Sequence, residues 1–125
     1  YFKKHGTVAD LEYGDLSEPK LEAGNAIVKV RAAALNHLDL WVLAGWPGLK
    51  LDLPHIGGSD IAGEISEIGE NNLGWKVGQK VVVNPGVVPL DDPWAAKNLD
   101  SLSPNYKIIG EHLPGGFAEY VSVPI

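Results

Sequence analysis

Residues 25–35 read Asn25-Ala26-Ile27-Val28-Lys29-Val30-Arg31-Ala32-Ala33-Ala34-Leu35, and this run decides the fold of the chain. Val28 and Val30 alternate with Lys29 and Arg31, which is the period-two pattern of a strand with one face on the core and the other in water. Elsewhere valine and isoleucine recur in short runs between 15 glycines and 9 prolines. Such a composition favours many short strands over helices, so the sequence predicts a mainly β fold.

Three further strands are predicted downstream, at about residues 61–68, 79–84 and 117–123. Gly63 interrupts the first of them, which indicates a bulge or a close approach of two backbones. The turn Lys76-Val77-Gly78-Gln79 precedes the second and has glycine at the position that best tolerates a positive φ.

One short helix is predicted at residues 37–44, directly after the first strand. Leu38, Trp41 and Val42 have the i, i+3, i+4 spacing of one helix face, and Gly45 is a typical residue at a helix end. Asn36 is a good N-cap, and Asp39 three positions later completes the pattern of a capping box. Capping alone is therefore one explanation of these two polar residues.

Residues 84–115 have little periodicity and contain five prolines. An irregular stretch of this length is uncommon inside a compact domain. We expect one domain over residues 1–125 and interpret residues 85–115 as the remnant of a lobe. The lobe is either mobile or held by packing of its prolines and of the apolar residues Val87, Val88, Leu90 and Trp94.

The composition excludes several classes of partner and site. Sixteen acidic against ten basic residues give a net charge of -6, which repels nucleic acids and anionic membranes. The chain has no cysteine for disulfides or thiolate metal sites. No apolar run approaches a spanning helix and the first residues do not resemble a secretory signal, so we expect a cytoplasmic protein. The absence of methionine favours a trimmed product, a recombinant piece or a fragment of something longer.

Three motifs follow one another along the chain: Asn36-His37-Leu38-Asp39, Gly58-Ser59-Asp60-Ile61-Ala62-Gly63 and Gly116-Phe117-Ala118-Glu119-Tyr120-Val121. With them the chain resembles the N-terminal, GroES-like catalytic domain of the medium-chain dehydrogenase/reductases, a family of zinc alcohol dehydrogenases and quinone oxidoreductases. The resemblance implies a GroES-like, partly open β-barrel with one short helix and a long irregular loop. It covers nearly the whole chain but only the front part of such an enzyme.

The resemblance also implies the site residues. In zinc-dependent members the positions of Asn36 and Ser59 hold a metal-binding cysteine and histidine, and that of Asp60 holds a glutamate close to the metal. In zinc-free quinone oxidoreductases an asparagine commonly stands at the first position, and the aspartate that matches Asp39 remains. This chain is similar to the second group, which implies a catalytic set of Asn36, Asp39, Ser59 and Asp60 without a metal.

Cofactor and substrate contacts follow from the same resemblance. His37 and Leu38 match positions near the cofactor phosphates, although a histidine at a helix start is also often simply solvated. Trp41 and Trp46 are candidates for the wall of an apolar substrate pocket, with core packing as the alternative. NAD(P)H would bind mainly to a C-terminal Rossmann domain, because the chain has no Gly-x-Gly-x-x-Gly motif in a βαβ unit.

The expected function is hydride transfer from NAD(P)H to a quinone or a conjugated carbonyl, by a larger enzyme that forms a homo-oligomer at full length and is inactive without its Rossmann domain. One alternative is an alcohol dehydrogenase with an unusual zinc site, built from His37, Asp39, His55 and Asp60 or from Glu111 and His112. Another is a non-enzymatic, co-chaperonin-like binding module, to which residues 69–81 are similar. Many family members also bind a structural zinc through four cysteines in the long loop, and residues 85–101 contain no such ligand set.

Overall fold

A computed structural model describes residues 1–71 and 73–125 and contains, within them, one α-helix and six strands. The helix α1 spans His37–Ala44, and the strands are β1 (Asn25–Ala34), β2 (Asp60–Ile68), β3 (Lys80–Val82), β4 (Gly86–Val87), β5 (Lys107–Ile108) and β6 (Tyr120–Pro124). Four antiparallel strands form a sheet in the order β3-β2-β1-β6, and β4 pairs with β5 in a separate ribbon. The predicted mainly β class with one short helix is confirmed, and these strands do not close a barrel.

The alternation predicted for residues 28–31 does not extend to the beginning of β1, where Ala26, Ile27 and Val28 are buried in succession. The pairing of β1 with β2 shifts between Ile27 and Val28, where Ser66 is an extra residue on β2. Ile27 also lines a small pocket with Pro19 on the side away from the main core. Both faces of this part of β1 are therefore covered by protein.

Gly63 marks a close approach of two backbones, as predicted. A second register shift lies opposite it, between Val30 and Ala32 of β1. A Cβ atom on Gly63 would lie 2.6 Å from Cγ1 of Val28 and would also collide with the carbonyl oxygen of Lys29. Only glycine lets β2 lie this close to β1.

The main core lies on one side of the four-stranded sheet. Its buried members are Ala26, Val28, Ile61, Ile65, Ile109, Val121 and Val123. Many of the same side chains line an apolar cavity of about 1050 Å³. None of the helices in residues 1–71 and 73–125 is both long and apolar enough to span a membrane.

Two strands are shorter than predicted, since β3 ends at Val82 and β6 begins only at Tyr120. The reason is clear at the second of them. The amides of Gly116 and Phe117 donate to the carbonyls of Gly58 and Gly57, at 2.8 and 3.0 Å, instead of to a neighbouring strand of the sheet. Gly116 and Phe117 therefore hold the glycine turn before β2 in place, and the chain pairs with β1 as β6 only from Tyr120.

The lobe at residues 85–115 is closed at its base by the β4–β5 ribbon and contains two 3-10 helices, Ala95–Lys97 and Asp100–Leu102. The expected apolar packing is wrong for two of its four residues, because Leu90 is 92% exposed and Trp94 37% exposed. The buried residues of the lobe tip are instead polar, namely Asp92 and Ser103.

Candidate active site

Helix α1 begins directly after β1 and is capped by its own first turn. Asn36 has extended backbone angles (φ -125°, ψ 157°) and the amide of Asn36 donates to Oδ2 of Asp39 at 2.6 Å. This acceptor holds one of the amides that a helix start leaves without a partner. The capping role predicted for Asp39 is confirmed, whereas the side chain of Asn36 makes no capping bond.

The side chain of Asn36 reaches across to the start of β2 instead. Its Nδ2 donates to Oδ2 of Asp60 at 3.0 Å, and the second oxygen of Asp39 accepts from the amide of Gly58 at 3.2 Å. Asn36 and Asp60 are exposed and Asp39 is half-buried. Two hydrogen bonds therefore join the first turn of α1 to the glycine turn before β2, and they bring three of the four predicted catalytic residues together.

Ser59 is the member of the predicted set that stands apart. The residue is only 5% exposed, and its hydroxyl oxygen is buried without a hydrogen-bond partner among the described residues. A Cβ atom placed on Gly110 would lie 2.8 Å from that oxygen. The hydroxyl of Ser59 thus lies against the backbone of Gly110, inside the molecule, while its neighbour Asp60 is exposed.

The third motif holds the second one in place. Amides of residues 115–117 donate to the carbonyls of residues 56–58 at 2.7 to 3.0 Å. Gly58 itself has φ +98°, and a Cβ there would lie 2.7 Å from the ring of Phe117. The three sequence motifs are consequently neighbours in space and form one connected region.

His37, Leu38, Trp41 and Trp46 lie on or just after α1. The ring centroids of His37 and Trp41 are 4.9 Å apart, and both residues are exposed, Trp41 by 58%. The predicted apolar face of α1 is wrong in this respect, because the buried side chains are Val42 and Leu43, with Leu38 half-buried beside them. Trp46 is 41% exposed. The 1050 Å³ cavity shares no residue with this region.

Sequence reasoning missed the N-terminal segment that supports α1. Phe2 packs on Val42 and Leu43, and its backbone exchanges two hydrogen bonds with His55 at 3.0 and 2.9 Å. Nδ1 of His5 donates to the carbonyl of Val42 near the helix end at 3.1 Å. The only sequence signal was an aromatic residue next to two lysines, which does not indicate where it docks.

His55 links this segment to the glycine turn. It is 2% exposed, packs against Phe2 and donates from Nε2 to the carbonyl of Gly110 at 3.3 Å. Burial lowers the pKa of His55 below its ordinary value of 6.5, which outweighs the opposing effect of the Gly110 carbonyl. The neutral imidazole is thus the form that the fold favours.

We expect acid to destabilise the fold through His55. Because the folded pKa lies below 6.5, the unfolded chain takes up the proton first, so the stabilisation is complete above pH 6.5 and is lost as the pH falls towards the folded pKa. Urea unfolding above and below pH 6.5 measures this. His55→Gln keeps an amide donor but does not titrate, and its free energy of unfolding should fall less with acid. Equal slopes for both proteins would contradict the assignment.

The residues of this region do not fit a catalytic zinc. Zinc in enzymes takes three ligands from cysteine, histidine and carboxylates. In residues 1–71 and 73–125 no three histidine, aspartate or glutamate side chains form a group that could hold a metal ion. Asn36 directs an N–H at Asp60, and Ser59 is buried. Of the alternative ligands, His55 is bonded to Gly110, and Glu111 and His112 contact each other at 3.3 Å.

The comparison with protein families identifies the domain. Residues 22–125 match the alcohol dehydrogenase GroES-like domain. Among curated proteins, the chain is 34% identical over 119 residues to an NAD-dependent alcohol dehydrogenase of Sulfolobus acidocaldarius. That match covers 91% of this chain and 35% of the relative, so the chain spans about a third of the length of the curated proteins it matches.

Solved structures show the same relation. An NAD-dependent alcohol dehydrogenase superimposes with a TM-score of 0.92 at 39% identity, covering 98% of this chain and 36% of that one. A cobalt- and zinc-bound thermostable alcohol dehydrogenase from Pyrobaculum aerophilum gives 0.88 at 30% identity, with 98% and 37% covered. A crotonyl-CoA carboxylase/reductase gives 0.86 at 27% identity, with 96% and 29% covered. By its strands, its helix and its family match, the chain belongs to the medium-chain dehydrogenase/reductase family, of which residues 22–125 form the GroES-like domain.

Proposed function

We propose that this chain is the substrate-side domain of an NAD(P)-dependent oxidoreductase that reduces a quinone or a conjugated carbonyl without a catalytic zinc. The observation that carries the proposal is the hydrogen bond from Asn36 to Asp60 at 3.0 Å. By the resemblance, these two positions match a metal ligand and a neighbour of the metal in zinc-dependent members of the family. A carboxamide bonded to a carboxylate is an organised hydrogen-bond donor. It does not provide the three cysteine, histidine or carboxylate ligands of a catalytic zinc.

The reaction class follows from what such a site lacks. Oxidation of an alcohol requires loss of the hydroxyl proton, and zinc assists it by the same effect that lowers the pKa of bound water from 15.7 to about 7. A neutral amide donor has no comparable effect on a hydroxyl. Quinones and conjugated enals or enones need less help, because their own π-system spreads the negative charge that hydride addition produces.

Asn36 is the residue that we assign to the substrate oxygen. One of its N–H bonds is directed to Asp60, which fixes the plane of the amide, and the other remains on an exposed side chain. A fixed donor at a developing oxyanion contributes about 3 kcal/mol, or about two orders of magnitude in rate. Ser59 belongs to the catalytic set that the resemblance implies, but its hydroxyl is buried, so we assign it no contact with substrate.

The two carboxylates position this donor. Asp60 accepts from Asn36, and Asp39 ties the first turn of α1 to Gly58 through its two oxygens. Because the turn at Gly58 leads into Asp60, each carboxylate limits the movement of the other. We propose ordering of the site as their role, and proton transfer is not required of either.

The nicotinamide, when bound, supplies the hydride. We propose that it is held mainly by a Rossmann domain outside this chain, in agreement with the share of the relatives that the chain covers. His37 and Leu38 lie at the first turn of α1, beside Asn36, where this chain would meet the cofactor. The exposed rings of Trp41, in the second half of α1, and Trp46, just after its end, would then cover an apolar substrate, which is supported by their exposure.

A second candidate is an alcohol dehydrogenase that binds zinc, because the relatives include proteins named as alcohol dehydrogenases and one solved with zinc and cobalt. The full-length enzyme should be dialysed against EDTA and its zinc content measured beside its activities. We expect no stoichiometric zinc and undiminished reduction of an enone or a quinone by NAD(P)H. Stoichiometric zinc, with alcohol oxidation that EDTA abolishes, would establish the second candidate instead.

A further inference from the structure

The lobe contains a buried carboxylate far from the proposed catalytic residues in sequence. Asp92 is 4% exposed and Ser103 7% exposed, in a stretch whose other residues are mostly exposed. A buried carboxylate is costly unless hydrogen bonds replace its lost hydration. The partners of Asp92 therefore indicate what holds the lobe.

Three donors converge on this carboxylate. Oδ1 accepts from the amide of Trp94 at 2.8 Å, and Oδ2 accepts from Oγ of Ser103 at 2.7 Å and from Nδ2 of Asn105 at 3.1 Å. The hydroxyl of Ser103 in turn accepts from the amide of Asn105 at 2.9 Å. The hydrogen bond from Ser103, followed by those from Asn105 and Trp94, lowers the pKa of Asp92 below its ordinary value, so the charged form is favoured.

These bonds join two separate segments of the lobe. Residues 92–94 lie before the first 3-10 helix, and residues 103–105 lie after the second one. The β4–β5 ribbon closes the base of the same loop through the pairs Gly86–Ile108 and Val87–Lys107. The loop is thus fixed at two levels, at its base by backbone pairing and nearer its tip by Asp92.

We propose that Asp92 with Ser103 and Asn105 forms a carboxylate-centred cross-link that orders the lobe without a metal, in the part of the chain where zinc-bearing members of the family have cysteines. A cation does not fit this centre, because the partners of the carboxylate are N–H and O–H donors and no group of three histidine, aspartate or glutamate side chains is present in residues 1–71 and 73–125. A structural zinc also needs four ligands, usually cysteine and histidine. This inference is independent of the proposed hydride-transfer function.

Amide hydrogen exchange of the full-length protein, followed by mass spectrometry, tests the cross-link. Hydrogen bonds to a charged group are among the stronger ones in proteins, so Asp92→Asn should accelerate exchange in peptides covering residues 93–105 by about tenfold or more. The neighbouring Asp91 is exposed, and Asp91→Asn should leave exchange unchanged. Neither EDTA nor added Zn²⁺ should alter exchange in the unsubstituted protein.

Two results would overturn the proposal: faster lobe exchange after EDTA treatment of the unsubstituted protein, or an Asp92→Asn protein that exchanges like the unsubstituted one. Peptides from β1 and β2 report whether the rest of the fold persists. Should Asp92→Asn lose the whole fold, Ser103→Ala decides, because it removes only one of the three donors. Faster exchange confined to the lobe in that variant supports the cross-link, and unchanged exchange refutes it.

Discussion

Replacement of Asn36 by alanine in the full-length enzyme should lower kcat for enone or quinone reduction by about 100-fold. The substitution removes the donor that we assign to the substrate oxygen, and that oxygen becomes negative only as hydride arrives. An interaction formed mainly in the transition state affects kcat and leaves KM nearly unchanged. Steady-state kinetics at saturating NAD(P)H measure both constants.

The free energy of unfolding should change little in Asn36→Ala. The bond from Asn36 to Asp60 lies between exposed side chains, and such bonds contribute about 1 kcal/mol or less. Asn25→Ala is the matched control, because it removes a comparable amide bond, from Nδ2 to Oγ of Ser122 at 3.1 Å, at the far end of β1. Asn25→Ala should keep full kcat. If Asn36→Ala also keeps it, Asn36 does not polarise the substrate.

A carboxylate at position 36 is a stricter version of this test. Asn36→Asp has nearly the same shape but no N–H to donate, and it places a second negative charge about 3.0 Å from the Asp60 carboxylate. Like charges at such a distance favour protonation of one of them. We therefore expect kcat to fall at least as far as in Asn36→Ala, at low pH as well, because the one O–H of a protonated pair is shared between the two carboxyls and none is left for the substrate oxygen.

Patterns of adjacent residues were sufficient to predict the helix and most of the sheet. Asn36, Asp39 and Gly45 predicted both ends of α1, because caps are read from a few adjacent residues. Gly63 predicted the close contact of β1 with β2 for a similar reason, because a glycine inside a strand often marks a place without room for a side chain. These features depend on neighbours in sequence, which a single chain displays directly.

The errors concern side chains whose surroundings come from distant segments. Trp41 has helix-face spacing, but Phe2 covers the part of α1 that contains Val42 and Leu43, and this leaves Trp41 exposed. Ser59 is a catalytic candidate through the resemblance, and no local pattern indicates that Gly110 lies against its hydroxyl. Neither contact has a periodic signal, so neither was predictable.

The cross-link in the lobe was missed for the same reason. Asp92 finds its side-chain partners 11 and 13 residues later, across two 3-10 helices in a stretch without periodicity. Prolines and apolar residues are the usual means of holding a loop, and the expected packing was based on them. A short aspartate, serine and asparagine set gives no comparable signal until the fold brings it together.

Gly110→Ala should be the most destabilising of the substitutions considered, by about 2–5 kcal/mol in the free energy of unfolding. Gly110 has φ +87°, where a side chain costs about 1–2 kcal/mol. Its new Cβ would also lie 2.6 Å from the carbonyl carbon of Gly58 and 2.8 Å from Oγ of Ser59. Forcing a methyl group into so close a contact adds about 1–3 kcal/mol.

Gly78→Ala separates these two costs. Gly78 has the same φ of +87°, but a Cβ there meets no atom within 4 Å, so only the backbone strain applies. Urea unfolding of both variants should show a difference equal to the steric part, about 1–3 kcal/mol. Equal losses of unfolding free energy would mean that the turn at Gly58 does not lie against Gly110.

The same pair of variants should differ in activity. Because the turn at Gly58 leads into Asp60, Gly110→Ala should displace Asp60 from Asn36 and lower kcat. Gly78→Ala, in the turn before β3, should leave kcat unchanged.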